Sequence, residues 1–98
     1  MYKELNPIIH PQLRLSILSL LMVFKEEEFT NIKLKTNATA GNLSIQLKKL
    51  KKADYIEIVK KFKDNYPLTL CRITPKGIQA FEEYAHTLKS LIDVSPNQ

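Results

Sequence analysis

Gly41, Asn42, Ser44, Ile45, Lys48, Lys49 and Lys52 are the residues whose types and spacing point to a specific chemistry. At about 100° per residue, Gly41, Ile45, Lys48, Lys49 and Lys52 share one side of a helix running from Thr39 to about Ala53, with Asn42 at its edge. Ala40, Leu43, Leu47 and Leu50 share the other side, and no acidic residue lies between them. Small polar residues come first and lysines later. That order suits a helix entering a nucleic-acid groove: Gly41 allows close backbone approach, and Asn42 carries the donor and acceptor that an adenine edge pairs with. Exposed Ile45 suits a thymine methyl, and Lys48, Lys49 and Lys52 reach phosphates, which position the protein without reading sequence.

Lysines on the outer side of an amphipathic helix are ordinarily just solvated, so the location of the charge decides. Residues 38–63 hold seven lysines against two acids, a surplus of five that equals the net charge of the whole chain, +5. Residues 1–37 come to +1 and residues 64–98 to −1. The footprint is one helix and the strand after it, as a groove-entering helix with a basic flank requires.

Other chemistry is poorly supplied. His10 and His86 stand far apart without ligand spacing, and read as a helix-start residue and a surface residue. Glu82 and Glu83 have no paired-carboxylate geometry, and no phosphate loop or nucleophile elbow occurs. Neither enzymatic activity nor a cofactor or metal is expected. Cys71 falls on an inward strand position with no second cysteine to resolve an oxidised form, which argues against a redox sensor. Tyr2, Tyr55, Phe62, Phe81 and Tyr84 read as core or interface residues.

The elements that must position the basic helix follow from pattern and punctuation. A first helix over about 11–25 opens at Pro11, with Leu13, Ile17, Leu20, Leu21 and Phe24 on one face. Leu15, Leu18 and Val23 widen that face, so the helix has two sides to bury. Lys25 to Glu28 reads as a solvated turn, and a short helix capped by Thr30 follows to Lys35. Thr36-Asn37-Ala38 is a turn, and Thr39 caps the basic helix, 39–53. A hairpin over about 55–74 turns at Lys63 to Pro67; Thr69, Cys71 and Ile73 alternate with Leu68, Leu70 and Arg72. Thr74-Pro75 opens a last helix, about 75–93, with Ile78, Phe81, Ala85, Leu88 and Ile92 on a coiled-coil-like seam, and the tail 95–98 is expected to fray. The result is a mainly α chain with a β-hairpin, four helices in one 98-residue domain.

With 44% hydrophobic and 26% charged residues, the composition is that of a soluble globular domain. A single cysteine forms no intrachain disulfide, the longest apolar run is too short to span a bilayer, and the N-terminus has no leader pattern. The expected compartment is the cytoplasm, with no membrane partner.

Ile9-His10-Pro11, Arg14-Leu15, Ile17-Leu18, Asn42-Leu43-Ser44, Ala53-Asp54-Tyr55-Ile56, Ile58 to Phe62, Pro67-Leu68-Thr69 and Ile73 to Gly77 stand in an ordered series over roughly residues 5–90. This series resembles small prokaryotic winged-helix DNA-binding regulators related to the MarR and ArsR families. The resemblance implies a winged helix-turn-helix with a long C-terminal dimerisation helix, acting as a homodimeric transcription regulator. The helix from Thr39 would enter the major groove, and the wing would lie on the flanking backbone or minor groove. Carried over by position, Asn42, Ser44, Ile45, Lys48 and Lys49 become contact residues on the helix, and Lys61, Lys63 and Asn65 on the wing. Leu13, Ile17 and Leu20 of the first helix and Phe81, Tyr84, Ala85, Leu88, Leu91 and Ile92 of the last become the dimer surface. One departure is Asp54, where the family has glycine before the tyrosine; aspartate tolerates the left-handed conformation better than most residues. Reuse of the fold as a protein-interaction module is the alternative, because a fold does not determine its function. A small effector is neither supported nor excluded.

Overall fold

A computed structural model describes residues 3–93. The order is α1 (Gln12–Phe24), β1 (Glu26–Glu28), α2 (Phe29–Thr36), α3 (Ala40–Lys52), β2 (Ile56–Lys63), β3 (Tyr66–Ile73) and α4 (Pro75–Ile92). Tyr2 and the tail 95–98 lie outside the described residues.

The local signals act as their chemistry requires. Thr39 Oγ1 accepts from the Asn42 backbone N–H at 3.2 Å and starts α3. Thr74 Oγ1 accepts from the Gly77 N–H at 2.9 Å, with Pro75 as the first residue of α4. Asn37 ends α2 in the left-handed region, at φ 56°. Asp54 does the same after α3, at φ 62°, so it takes the backbone role expected of a glycine there.

The core contains Ile9, Ile17, Leu18 and Leu21 from the N-terminal side, Ile32 from α2, Leu43, Leu47 and Leu50 from α3, Ile56, Cys71 and Ile73 from the hairpin, and Tyr84 from α4. Three leucines seat α3, each contributing roughly 1.5–3 kcal/mol on burial, and this turns its lysine side outward. His10 Nδ1 and the Tyr84 hydroxyl share a hydrogen bond of 2.9 Å that ties the N-terminal segment to α4.

Three expectations change. Lys25 to Glu28 is no solvated turn: Lys25 bends back at φ 68°, and Glu26–Glu28 forms an edge strand antiparallel to β3, giving the sheet order β1-β3-β2. The backbone ladder is joined by charge pairing: Arg72 on β3 meets its cross-strand neighbours Glu26 (3.1 Å) and Glu57 (3.8 Å), so one guanidinium reaches all three strands. Glu27 accepts from Asn31 Nδ2 at 2.9 Å and pairs with Lys35 at 3.2 Å. The Asn31 hydrogen bond is the main cause holding the Glu27 carboxyl below its ordinary range. Thr30 is no cap, because α2 begins one residue earlier, at Phe29, behind Glu28. Ile17 and Tyr84, assigned to a dimer surface, are buried inside the protomer, at 0% and 3% exposure.

Candidate nucleic-acid interface

Seating Leu43, Leu47 and Leu50 in the core leaves Thr39, Gly41, Asn42, Ser44, Ile45, Lys48, Lys49 and Lys52 exposed on α3. Ile45, a large apolar side chain, is 54% exposed on this otherwise polar face. Lys49, Lys51 and Lys52 stand in the last turn, where the helix dipole favours cations. Gly41 has nothing within 4 Å of where a Cβ would sit, so neither packing nor backbone strain requires glycine there.

The hairpin stands beside this helix. Directly opposed residues in an antiparallel pair share a face. The register Ile56↔Ile73, Ile58↔Cys71, Lys60↔Thr69 and Phe62↔Pro67 therefore continues the buried face of the hairpin outward into Lys60 and Phe62. Lys61, opposite Leu68, and Lys63, opposite Tyr66, point from the other face. Between α3 and the hairpin lies an open groove of about 390 Å³ whose lining includes Ser44, Lys48, Lys51, Lys60 and Thr69, with Leu47, Ile58 and Phe29 as its apolar part. The structure thus brings together Ser44 and Lys48 of the expected helix residues and adds Lys51 and Lys60 to them. It sets Lys61 and Lys63 on the far side of the hairpin. Asn65 forms the tip with Asp64; both have positive φ (68° and 52°), as a tight two-residue type I′ turn demands. Phe62, expected to be packed, is 78% exposed near that tip, and Tyr66 is 75% exposed.

A second arrangement lies on the α1 side of α3. Arg14 is 8% exposed, and its guanidinium donates to Gln46 Oε1 (2.5 Å), the Ile8 carbonyl (2.6 Å) and the Pro7 carbonyl (3.3 Å). Gln46 Nε2 in turn donates to Asn42 Oδ1 at 3.0 Å. An exposed asparagine in the first turn of α3 is thereby joined to a buried cation through a single intermediate side chain.

The family model for the winged helix DNA-binding domain matches residues 13–92, which span α1 through α4. The chain belongs to this family. The winged helix is also 36% identical over 84 residues to the uncharacterized protein MJ0432 of Methanocaldococcus jannaschii, covering 86% of this chain and 91% of the relative. Its fold superposes on the transcriptional regulator homologue protein of Pyrococcus horikoshii with a TM-score of 0.84 at 27% identity, over 88% of this chain and 85% of that one. The transcriptional regulator BldR of Sulfolobus solfataricus shares the fold at a TM-score of 0.71 and 22% identity, over 87% of this chain and 63% of that one. MarR-like and ArsR-like regulators are among the structural neighbours.

Of the winged helix residues that sequence reasoning passed over, Lys60 had a usable signal. It shares strand parity with Ile56 and Ile58, so it had to face the body of the domain. Lys51 lay at the border between the helix faces. The link between Arg14 and Gln46 had no local signal, because the two residues lie 32 positions apart.

Cys71 sits behind the wing, fully buried, and burial pushes its thiol up to about 11 from an ordinary 9.0. The thiolate is the reactive form, so Cys71 is expected to resist a disulfide reagent at pH 8 until the protein is unfolded. Rapid labelling of the native protein would contradict this. The raised value favours the folded state while the thiol keeps its proton. That contribution is lost as pH rises from about 9 toward about 11.

Proposed function

We propose that this winged helix is a sequence-specific double-stranded DNA-binding transcription regulator that works as a homodimer. Its α3 enters the major groove, and a backbone strand lies in the groove between α3 and the hairpin, against Lys48, Lys51 and Lys60. The single observation that carries this reading is that groove: three lysines from two elements converge with Ser44 and Thr69 along the flank of α3 that faces the hairpin. Beyond it, Phe62 and the tip at Asn65 reach toward the adjoining minor groove, and Lys61 and Lys63 serve the flanking backbone.

Pairing is supported by apolar surface left on α1 and α4. Leu13, Leu20, Phe81, Leu88 and Leu91 are half-buried, Ala85 is exposed, and Ile92 is 67% exposed. Two α3 helices set about 34 Å apart, one turn of duplex, would read a palindrome. Ile17 and Tyr84 are left out of this surface because their own protomer already covers them.

Random-sequence duplex titrated by fluorescence anisotropy across a salt series tests the DNA reading. Affinity should fall steeply with salt, with a log–log slope of about 0.9 per phosphate contact, hence several units. Folded protein that fails to bind even at low salt would leave the basic face merely solvated. The observation that then favours a protein-interaction module is the exposed apolar end of α1, where Val23 is 71% and Phe24 52% exposed.

Gly41 supplies a finer check. Gly41→Ala should raise stability by up to about 1 kcal/mol, since alanine is the better helix former and its Cβ meets nothing within 4 Å. It should also weaken duplex binding several-fold if the first turn of α3 approaches DNA closely. Thermal unfolding and anisotropy on the same variant read both effects; unchanged affinity would mean that DNA stays more than a methyl group away.

A further inference from the structure

We infer that Asn42 leads with its amide N–H donors toward DNA and selects guanine, in an orientation imposed by the buried Arg14; this rests on the DNA-binding reading above. The argument is one of polarity. A guanidinium has five N–H donors and no acceptor, so Gln46 must turn its Oε1 to Arg14, at 2.5 Å from Nη1. The Gln46 amide nitrogen then faces the other way and donates to Asn42 Oδ1 at 3.0 Å. The oxygen, one of its two lone pairs taken, is held along α3 toward Gln46, which leaves Nδ2 and its two N–H groups as the end free to lead. Flipping either amide would set donor against donor.

Arg14 is itself held in place. Its Nε donates to the Ile8 carbonyl at 2.6 Å and its Nη2 to the Pro7 carbonyl at 3.3 Å. The turn that offers those carbonyls is braced by Asn6, whose Oδ1 accepts from the Ile8 N–H at 2.8 Å and whose Nδ2 donates to the Tyr55 hydroxyl at 2.9 Å. Arg14 and Gln46 are positioning residues: neither needs to touch DNA to determine what Asn42 presents.

In the major groove, adenine pairs with a donor and an acceptor together through N7 and N6–H₂, whereas guanine offers two adjacent acceptors, N7 and O6. An asparagine that leads with its N–H₂ group matches guanine and sets donor against donor at the adenine amino group. The adenine pairing expected from the residue type alone is thereby replaced. Phosphate oxygens are also acceptors, and the test has to separate them from a base edge.

Duplexes are selected from a random-sequence library with the full chain and with Asn42→Ala, Gln46→Leu and Gln46→Glu, each confirmed as folded by circular dichroism. Asn42→Ala should erase base preference at one position of the half-site. At that position the wild type should favour guanine over adenine by about 10-fold or more, within the range of one good base contact. Gln46→Leu frees the Asn42 oxygen, and the guanine-to-adenine ratio should fall toward 1. Gln46→Glu keeps an acceptor for Arg14, and so keeps the fold, but cannot donate to Asn42; it should lose the discrimination too, and it carries the test if the leucine variant unfolds. Adenine at the Asn42-dependent position, an Asn42→Ala loss equal for all sequences (a phosphate contact), or unchanged discrimination in folded Gln46→Glu would each overturn the inference while leaving DNA binding intact. No enrichment of any duplex by the wild type would overturn the DNA reading itself, and this inference with it.

Discussion

Replacing Lys48 and Lys49 together by glutamate is expected to abolish duplex binding while leaving the fold in place. Both side chains are exposed on the outer side of α3, and substitutions on an exposed surface usually shift stability by no more than about 0.5 kcal/mol. Binding should respond very differently. Lys48 lines the groove between α3 and the hairpin, with Lys51 and Lys60 as its cationic neighbours, and Lys49 stands on the opposite flank of α3 with Arg14 and Lys52. The double change moves the local charge by four units against a polyanion. Two lost phosphate contacts alone would reduce the log–log salt slope by about 1.8, and the new repulsion adds to that. Affinity at low salt should fall by about 100-fold or more. A folded double variant that binds as tightly as wild type would rule out this docking of α3.

Gly77→Ala is expected to damage the fold strongly although it adds only a methyl group. A Cβ at this position would lie 2.2 Å from the Tyr55 carbonyl oxygen and 3.0 Å from Ile73 Cγ1. The oxygen is backbone and cannot rotate away. It is also engaged, accepting from the Thr74 N–H at 3.0 Å, while Thr74 Oγ1 donates to the Asp54 carbonyl at 2.6 Å. The first turn of α4 is therefore docked closely on the turn between α3 and β2, and any side chain forces the two apart. Overpacking of this kind costs about 1–3 kcal/mol, and more when the backbone must move; for a domain of this size each kcal/mol is worth roughly 4–8 °C. A Tm lowered by about 10 °C or more is the expected result, opposite in sign to that of Gly41→Ala. The two glycines make a matched pair, one where a methyl group meets open space and one where it meets a carbonyl. A Gly77→Ala variant as stable as wild type would show that the α4 junction yields easily.

The features legible in the sequence were those whose physics acts within a turn or two of chain. Leucines at 43, 47 and 50 define one face of α3 because a helix repeats every 3.6 residues, and the lysines had to take the other. Thr39 and Thr74 cap the helices that follow because a hydroxyl can reach an N–H three residues on. Asp54 and Asn37 occupy left-handed positions because short polar side chains tolerate them. The concentration of charge on residues 38–63 needed no structure at all.

What only the tertiary structure decided depends on contacts between distant segments. Three consecutive glutamates have no strand pattern of their own; they became β1 because the edge of β3 pairs with them, Glu26 opposite Arg72, 46 residues away, whose charge offsets part of theirs. The family resemblance put Ile17 and Tyr84 on a dimer surface, yet they were used up by the protomer's core, since a helix face does not announce which neighbour will cover it. Lys60 rather than Lys61 or Lys63 reached the groove because hairpin register, together with the side of the sheet on which α3 packs, determines which parity faces the helix. The polarity of Asn42 likewise comes from another segment, through a buried arginine on α1 acting on Gln46. Periodicity assigns residues to faces, but only folding determines what each face meets.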